Sequence, residues 1–253
     1  VITFTEAQLM AWITPLLWVF LRTLALFTSM PILGTRNVPV RVRVALAAFI
    51  AFAAQASLPA MPVVPLDSPL AFMLIVQQLV IGLSLGFAIR VLFAAIEFAG
   101  EVVGLQMGLN FAGFFDPISA AQGTATARFF GTTVSWLFVV INGHLLVIAA
   151  LVDSFTSFPV GPEPFAFLRA AQPHRWAAEI FSTGLWIALP LVSLLLFVNL
   201  VLGMISRVAS QINIFAIGFP ITLGVGLVGL FLTLPLMQTP FMLAMDRLLS
   251  GFR

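Results

Sequence analysis

Five consecutive residues, Gly82-Leu83-Ser84-Leu85-Gly86, spell G-x-S-x-G, the pattern that presents a nucleophilic serine in hydrolases. His144, in another apolar stretch, is the candidate base for such a serine. That chemistry needs a strand–turn–helix elbow, and this match sits inside an unbroken apolar run. Close helix packing accounts for two glycines four apart with no chemistry at all, and His144 then reads as a hydrogen-bonded packing residue. The chain has two distant histidines, His144 and His174, and no cysteine, so it offers no metal-ligand set. No phosphate loop, dinucleotide fingerprint or calcium loop is present. No catalytic residue, metal ligand or cofactor is therefore assigned.

The charged residues point elsewhere. Arg22 interrupts the apolar run Trp18-Val-Phe-Leu-Arg-Thr-Leu24. A central arginine costs about 2.5–3.5 kcal/mol on membrane-insertion scales, so it is expected to face protein or water. It either holds helices together, through an ion pair or a carbonyl cap, or lines a transport path. Glu97 and Glu101 are its candidate partners. They are four apart and share one helix face, with Arg90 two turns before Glu97 on the same face. A cluster of this kind fits contacts between helices or subunits better than a general acid–base pair. Glycines mark close packing at Gly82 and Gly86, at Gly100, Gly104 and Gly108, and at Gly224, Gly226 and Gly229.

The segment Gly100 to Gly123, GEVVGLQMGLNFAGFFDPISAAQG, is rich in glycine and phenylalanine and reads as too broken for an ordinary membrane helix. Irregular backbone facing lipid would leave N–H and C=O groups unsatisfied, so such a segment belongs in protein or along a cavity. It reads as a pore element carrying Met107, Asn110, Phe111, Phe114, Phe115, Asp116 and Pro117. Gly108 and Gly113 let the backbone turn, and bulky phenylalanines on such a hinge suit a constriction that excludes water. The plainer reading is a re-entrant loop that fills space between helices.

The elements that position these residues follow from composition. Of 253 residues, 61% are hydrophobic and only 8% charged, against about 25% charged in soluble domains, so the chain reads as an integral membrane protein. Arginine is its only basic chain-forming residue besides histidine, and the net charge is only +2. No basic patch tracks phosphates, which excludes nucleic acid as a partner. Six apolar stretches are expected to be helical: about 7–33, 44–58, 70–96, 129–152, 180–205 and 214–237. Pro190, Pro220 and Pro235 are expected to break or kink the last two. Near the start, Glu6 replaces a basic n-region and no cleavage site follows, so the first stretch reads as retained. Arg36, Arg41, Arg43, Arg90, Arg128 and Arg207 fall on one side of a six-span topology, which places the N-terminus outside by the positive-inside rule.

Three blocks carry a resemblance. Gly104-Leu-Gln-Met-Gly-Leu-Asn-Phe-Ala112, followed by Asp116-Pro117, resembles the FliR family of flagellar export-gate proteins and their virulence type III secretion relatives. Arg207-Val-Ala-Ser-Gln-Ile-Asn-Ile-Phe-Ala-Ile-Gly-Phe-Pro-Ile-Thr222 is a second block, and Phe20-Leu-Arg22 leading to Pro31, Gly34, Pro39 and Arg41 a third. The resemblance covers nearly the whole chain. It implies an all-α, non-enzymatic subunit, built as one membrane export-gate domain. About 1–178 would be FliP-like, with a plug loop near 105–122, and about 179–253 a FliQ-like hairpin. It further implies FliP-like and FliQ-like partner subunits, a FlhB-like switch protein at a cytoplasmic turn holding Arg207, Gln211 and Asn213, and unfolded flagellar substrates. The expected place is the bacterial inner membrane, within the flagellar basal body. The details at 110–117 resemble the flagellar branch. A virulence (injectisome) gate subunit is the alternative, and a proton-coupled secondary transporter using Arg22 and Glu97 the more distant one.

Overall fold

The computed structural model describes residues 5–109, 123–161, 176–208 and 214–253, with Glu163, Phe165, Phe167 and Arg169 between. Among these residues the regular elements are all helical. The expected plug residues Asn110 to Pro117, and Gln211 and Asn213 of the expected entrance turn, lie outside the described residues.

Local chemistry sets the helix ends. Helix α1 (Glu6–Ser29) opens on a capping box: the Gln8 N–H donates to Thr5 Oγ1 at 3.4 Å, and the Thr5 N–H donates to Gln8 Oε1 at 3.1 Å. It stops where Met30 turns extended ahead of Pro31, the conformation proline imposes on its predecessor. Helix α2 (Val40–Ala54) starts after Pro39. Arg43 closes the α1–α2 turn by donating from Nη2 to the carbonyls of Thr35 (3.1 Å) and Val38 (2.9 Å).

Helix α3 (Pro69–Gln106) begins with proline in its first turn, and Ser68 Oγ accepts the Ala71 N–H at 3.2 Å. It does not stop near Ile96 as expected from the sequence. It runs straight through Gly100 and Gly104 to Gln106, where Gly108, at φ 79°, provides the left-handed turn common after a helix. Thirty-eight residues at about 1.5 Å each span roughly 57 Å, far more than a bilayer core of about 30 Å.

Helices α4 (Ala125–Val140) and α5 (Gly143–Ser157) divide the fourth apolar stretch, which the sequence reading took as continuous. The break is Asn142, at φ 57° and ψ 33°. Asparagine tolerates this left-handed conformation and β-branched residues do not. Asn142→Gly should therefore leave the thermal midpoint within about 2 °C of the parent, and Asn142→Val should lower it by at least about 3 °C in detergent, for a penalty of roughly 1–2 kcal/mol.

Helix α6 (Trp176–Val208) carries Pro190 and α7 (Ile214–Thr233) carries Pro220 within their spans. Pro235 sits in a 3₁₀ turn, Leu234–Met237, from which α8 (Gln238–Ser250) follows. α8 was not anticipated. It buries Phe241, Ala244, Met245, Leu248 and Leu249 and exposes Asp246.

Among the described residues, five stretches are long and apolar enough to cross a membrane: Met10–Ser29, Val40–Ser57, Pro69–Gln106, Trp176–Val208 and Ile217–Ser250. The α4–α5 pair supplies a broken sixth. This is a helical membrane protein. Its residues form two compact units, Val1–Arg90 with Ile141–Trp176 and Met245–Arg253, and Val91–Val140 with Ala177–Ala244. In the first, Trp18 packs with Val64, Ala71 and Leu74, and Val19 with Ala51 and Phe155. The proline-rich loop before α3 is tied down there, because Trp18 Nε1 donates to the Pro62 carbonyl at 3.3 Å.

Candidate functional site

In the first unit the fully buried Arg22 is the best-connected side chain. Its Nε donates to Gln78 Oε1 (2.8 Å), Nη1 to the Ser154 carbonyl (2.8 Å) and Ser154 Oγ (2.9 Å), and Nη2 to the Phe158 carbonyl (3.0 Å). The guanidinium lies 3.7 Å from the centroid of the Phe155 ring. These partners correct the expectation that Glu97 and Glu101 pair with Arg22, since each one is neutral. Ser154 and Phe158 close the C-terminal end of α5, where unpaired carbonyls carry partial negative charge. A helix end and a π-face thus do for this cation what a carboxylate was expected to do.

The supports of Arg22 form a second tier. Gln78 Nε2 donates to Gln77 Oε1 at 2.9 Å. Gln77 in turn donates to the Pro159 carbonyl and accepts the Gly161 N–H, each at 3.2 Å. α1 reaches Gln78 because α3 is smooth one turn further on. A Cβ on Gly82 would collide with the Arg22 carbonyl, and one on Gly86 with the Ser29 hydroxyl and the Leu26 carbonyl. Ser84 lies in this continuous helix, so the hydrolase elbow does not form. His144 is exposed on α5, which corrects its reading as a packing residue, and Arg90 is exposed on α3.

In the second unit, α3 and α4 form an antiparallel hairpin around residues 110–122. A Cβ on Gly100 would lie 2.8 Å from Ala127 Cα and 2.9 Å from the Thr126 carbonyl, and one on Gly104 would strike Thr126 Oγ1. Gly131 leaves room for the Glu97 side chain, whose Oε1 lies 2.9 Å from the vacant Cβ position. Phe93 and Phe138 meet edge to face at 5.9 Å. Gly123, at φ 84°, turns the chain back into α4 beside Glu101. In the same unit, Gly184 of α6 accepts Phe98, and fully buried Met107 fills the notch left by Gly226 of α7. Gly229 makes the corresponding notch for Leu191 within the α6–α7 hairpin.

Two hollows flank α4. One, of about 730 Å³, is lined by Glu97, Glu101, Arg128, Thr132 and Ser135. The other, of about 420 Å³, is apolar, with Leu109, Phe129, Leu227 and Phe231 in its walls. The first places charged and hydroxyl groups on an otherwise apolar hairpin, a surface that lipid would penalise and water or protein would cover. Arg207 is exposed in the last turn of α6.

The comparison with known families bears on this arrangement over most of its length. Residues 13–248 match the family described as bacterial export proteins, family 1. The chain belongs to that family. Within it, the chain is 45% identical over 240 residues to the flagellar biosynthetic protein FliR of Escherichia coli (strain K12), covering 94% of this chain and 90% of that protein. It is 42% identical to the protein of that name in Pectobacterium carotovorum subsp. carotovorum, over 95% of this chain and 91% of the relative. The likeness to the protein of that name in Bacillus subtilis (strain 168) is 29% over 84% and 83% of the two chains. The match to the export family takes in the Arg22 network, the α3–α4 hairpin and the α6–α7 hairpin together.

Sequence reasoning missed Gln78, Ser154, Phe158 and Thr124. The Gln77-Gln78 pair, two amides inside an apolar run, was the available signal. The carbonyls that hold Arg22 have no signal of their own, because every residue has one.

Proposed function

We propose that this chain is a core subunit of the flagellar type III export gate, a non-enzymatic member of the channel through which unfolded flagellar proteins leave the cell. Extent of likeness carries the reading: 45% identity to a flagellar biosynthetic protein over 94% of the chain. In this reading it works in the bacterial inner membrane, in the flagellar basal body, beside FliP-like and FliQ-like subunits and a FlhB-like switch protein. The segment at 110–122 stoppers the closed channel with Phe111, Phe114 and Phe115. Exposed apolar side chains such as Trp186 (72% exposed) and Phe197 (65%) supply surface for lipid or neighbouring subunits. A flagellar role is favoured over an injectisome role by the names of the relatives. A proton relay through Arg22 and Glu97 loses support, because the donors of Arg22 are engaged with neutral groups.

Two measurements test this. A bacterium lacking its own FliR should regain swimming when this chain is supplied with its cognate partner subunits; stable chain in the membrane without flagella would overturn the role. Deleting Phe111–Pro117 should make the purified, closed complex conduct potassium ions across a planar bilayer. Conductance equal to that of the parent would overturn the plug.

A further inference from the structure

Helix α4 lacks the acid that its own start requires. Thr124 is its N-cap, accepting the Ala127 N–H on Oγ1 at 3.1 Å. A complete capping box would place Glu or Gln at the third helical position, to accept the N–H of the cap residue. That position is Ala127, which is buried close to Gly100 and whose methyl offers no acceptor. The missing acceptor comes from another helix: the Thr124 N–H donates to Glu101 Oε1 of α3 at 3.0 Å. A carboxylate at this place also meets the positive end of α4.

We propose that Glu101 is a positioning residue that completes the α4 cap in trans and so fixes where the chain returns after residues 110–122. The outgoing end is fixed independently, by Met107 in the Gly226 notch. Residues 109 and 123 are thereby held relative to each other by contacts that do not involve the segment between them. The consequence for ion leakage rests on the plug reading of the preceding subsection; the capping role does not.

The experiment uses the full gate complex with Glu101→Ala and Glu101→Gln. Glutamine keeps a side-chain oxygen for Thr124 and discards the charge. Hydrogen–deuterium exchange of the amides at 123–128 should be at least about tenfold faster in Glu101→Ala and within about threefold of the parent in Glu101→Gln. Unchanged exchange in Glu101→Ala, or equal acceleration in both variants, overturns the capping role. Potassium conductance is measured on the same samples and on the Phe111–Pro117 deletion. Faster exchange with a leak in Glu101→Ala supports the whole proposal. A leaking deletion beside a tight, unaccelerated Glu101→Ala sinks the inference and spares the plug, whereas a tight deletion beside accelerated Glu101→Ala sinks the plug and spares the cap. If Glu101→Ala fails to assemble, Thr124→Pro, which removes both the N–H donor and the Oγ1 cap, is compared with Thr124→Ala, which removes Oγ1 alone; exchange at 125–128 should be faster in Thr124→Pro than in Thr124→Ala, and equal exchange in the two overturns the role of Glu101.

Discussion

Arg22→Ala should nearly abolish accumulation of the chain in the membrane, with Arg22→Lys intermediate and Arg22→Met the mildest of the three. Opposing terms decide the order. Removing the guanidinium relieves a charge whose cost at the centre of a membrane helix is about 2.5–3.5 kcal/mol. It also orphans Gln78 Oε1 and the Phe158 carbonyl, at about 1–3 kcal/mol each. The Ser154 carbonyl is spared, because it also accepts the Phe158 N–H at 3.0 Å. Alanine adds a cavity among α1, α3 and α5, and cavities in well-packed cores cost a further few kcal/mol. Methionine fills most of that space and carries no charge, so its net cost is about 1–2 kcal/mol. Lysine keeps the charge but cannot donate in three fixed directions from one planar group. The measurement is membrane abundance by immunoblot, with the thermal midpoint of the detergent-solubilised complex. If Arg22→Met matched the parent in both but stopped export, Arg22 would belong to the transport path rather than to the scaffold.

The sequence was readable where one helix face or one loop decides the outcome. Six apolar stretches were long enough to become helices; five did so, and the fourth became the broken pair α4–α5. It was less readable wherever two distant segments meet. Gly100, Gly104 and Gly108 were legible as marks of close packing, but the segment they open was also read as too broken for a membrane helix, since glycine lowers helix propensity by about 1 kcal/mol per residue. In the fold Gly100 and Gly104 admit α4 and packing outweighs propensity through Gln106, whereas Gly108 turns the chain beyond the helix end. Arg22 was expected to seek an acid, since the sequence shows acids and hides carbonyls. Its partners lie up to 136 residues away at the end of a helix whose boundaries were themselves misjudged. That boundary error came from Asn142-Gly143, a turn signal read as helix interior. α8 escaped for a similar reason: the last apolar stretch was ended at 237, with Pro235 inside it as a kink, and the amphipathic pattern after it went unread. Of the site residues, those at 110–117 drew attention through composition and through the resemblance of the block at 104–117, while Glu101, on the face of Glu97, could be placed only as a charge. Its bond to Thr124 spans 23 residues and depends on the hairpin being closed.

Gly100→Leu should abolish swimming, whereas Gly224→Leu should leave the stability of the chain unchanged. The two residues look alike in sequence, since each belongs to a cluster of glycines in an apolar run. A Cβ on Gly100 would meet backbone atoms of α4, the Ala127 Cα and the Thr126 carbonyl, and the Phe130 Cβ at 3.0 Å. Backbone of a packed helix cannot turn aside as a side-chain tip can, so α3 and α4 must separate. A Cβ on Gly224 would meet nothing within 4 Å. Overpacking a tight contact costs typically 1–3 kcal/mol, and leucine at Gly100 sits at or beyond the upper end because the whole side chain has no space. Separation also pulls Thr124 away from Glu101, so accelerated exchange at 123–128 should accompany the loss of function. Gly100→Ala should fall between parent and leucine in thermal midpoint. The control gains a second use under the export-gate reading. If Gly224→Leu preserves the melting of the isolated chain but prevents recovery of the complex, the open side of Gly224 receives a partner helix. If Gly100→Leu swims and melts like the parent, the α3–α4 contact is not what holds the root of 110–122, and the positioning argument built on that hairpin fails with it.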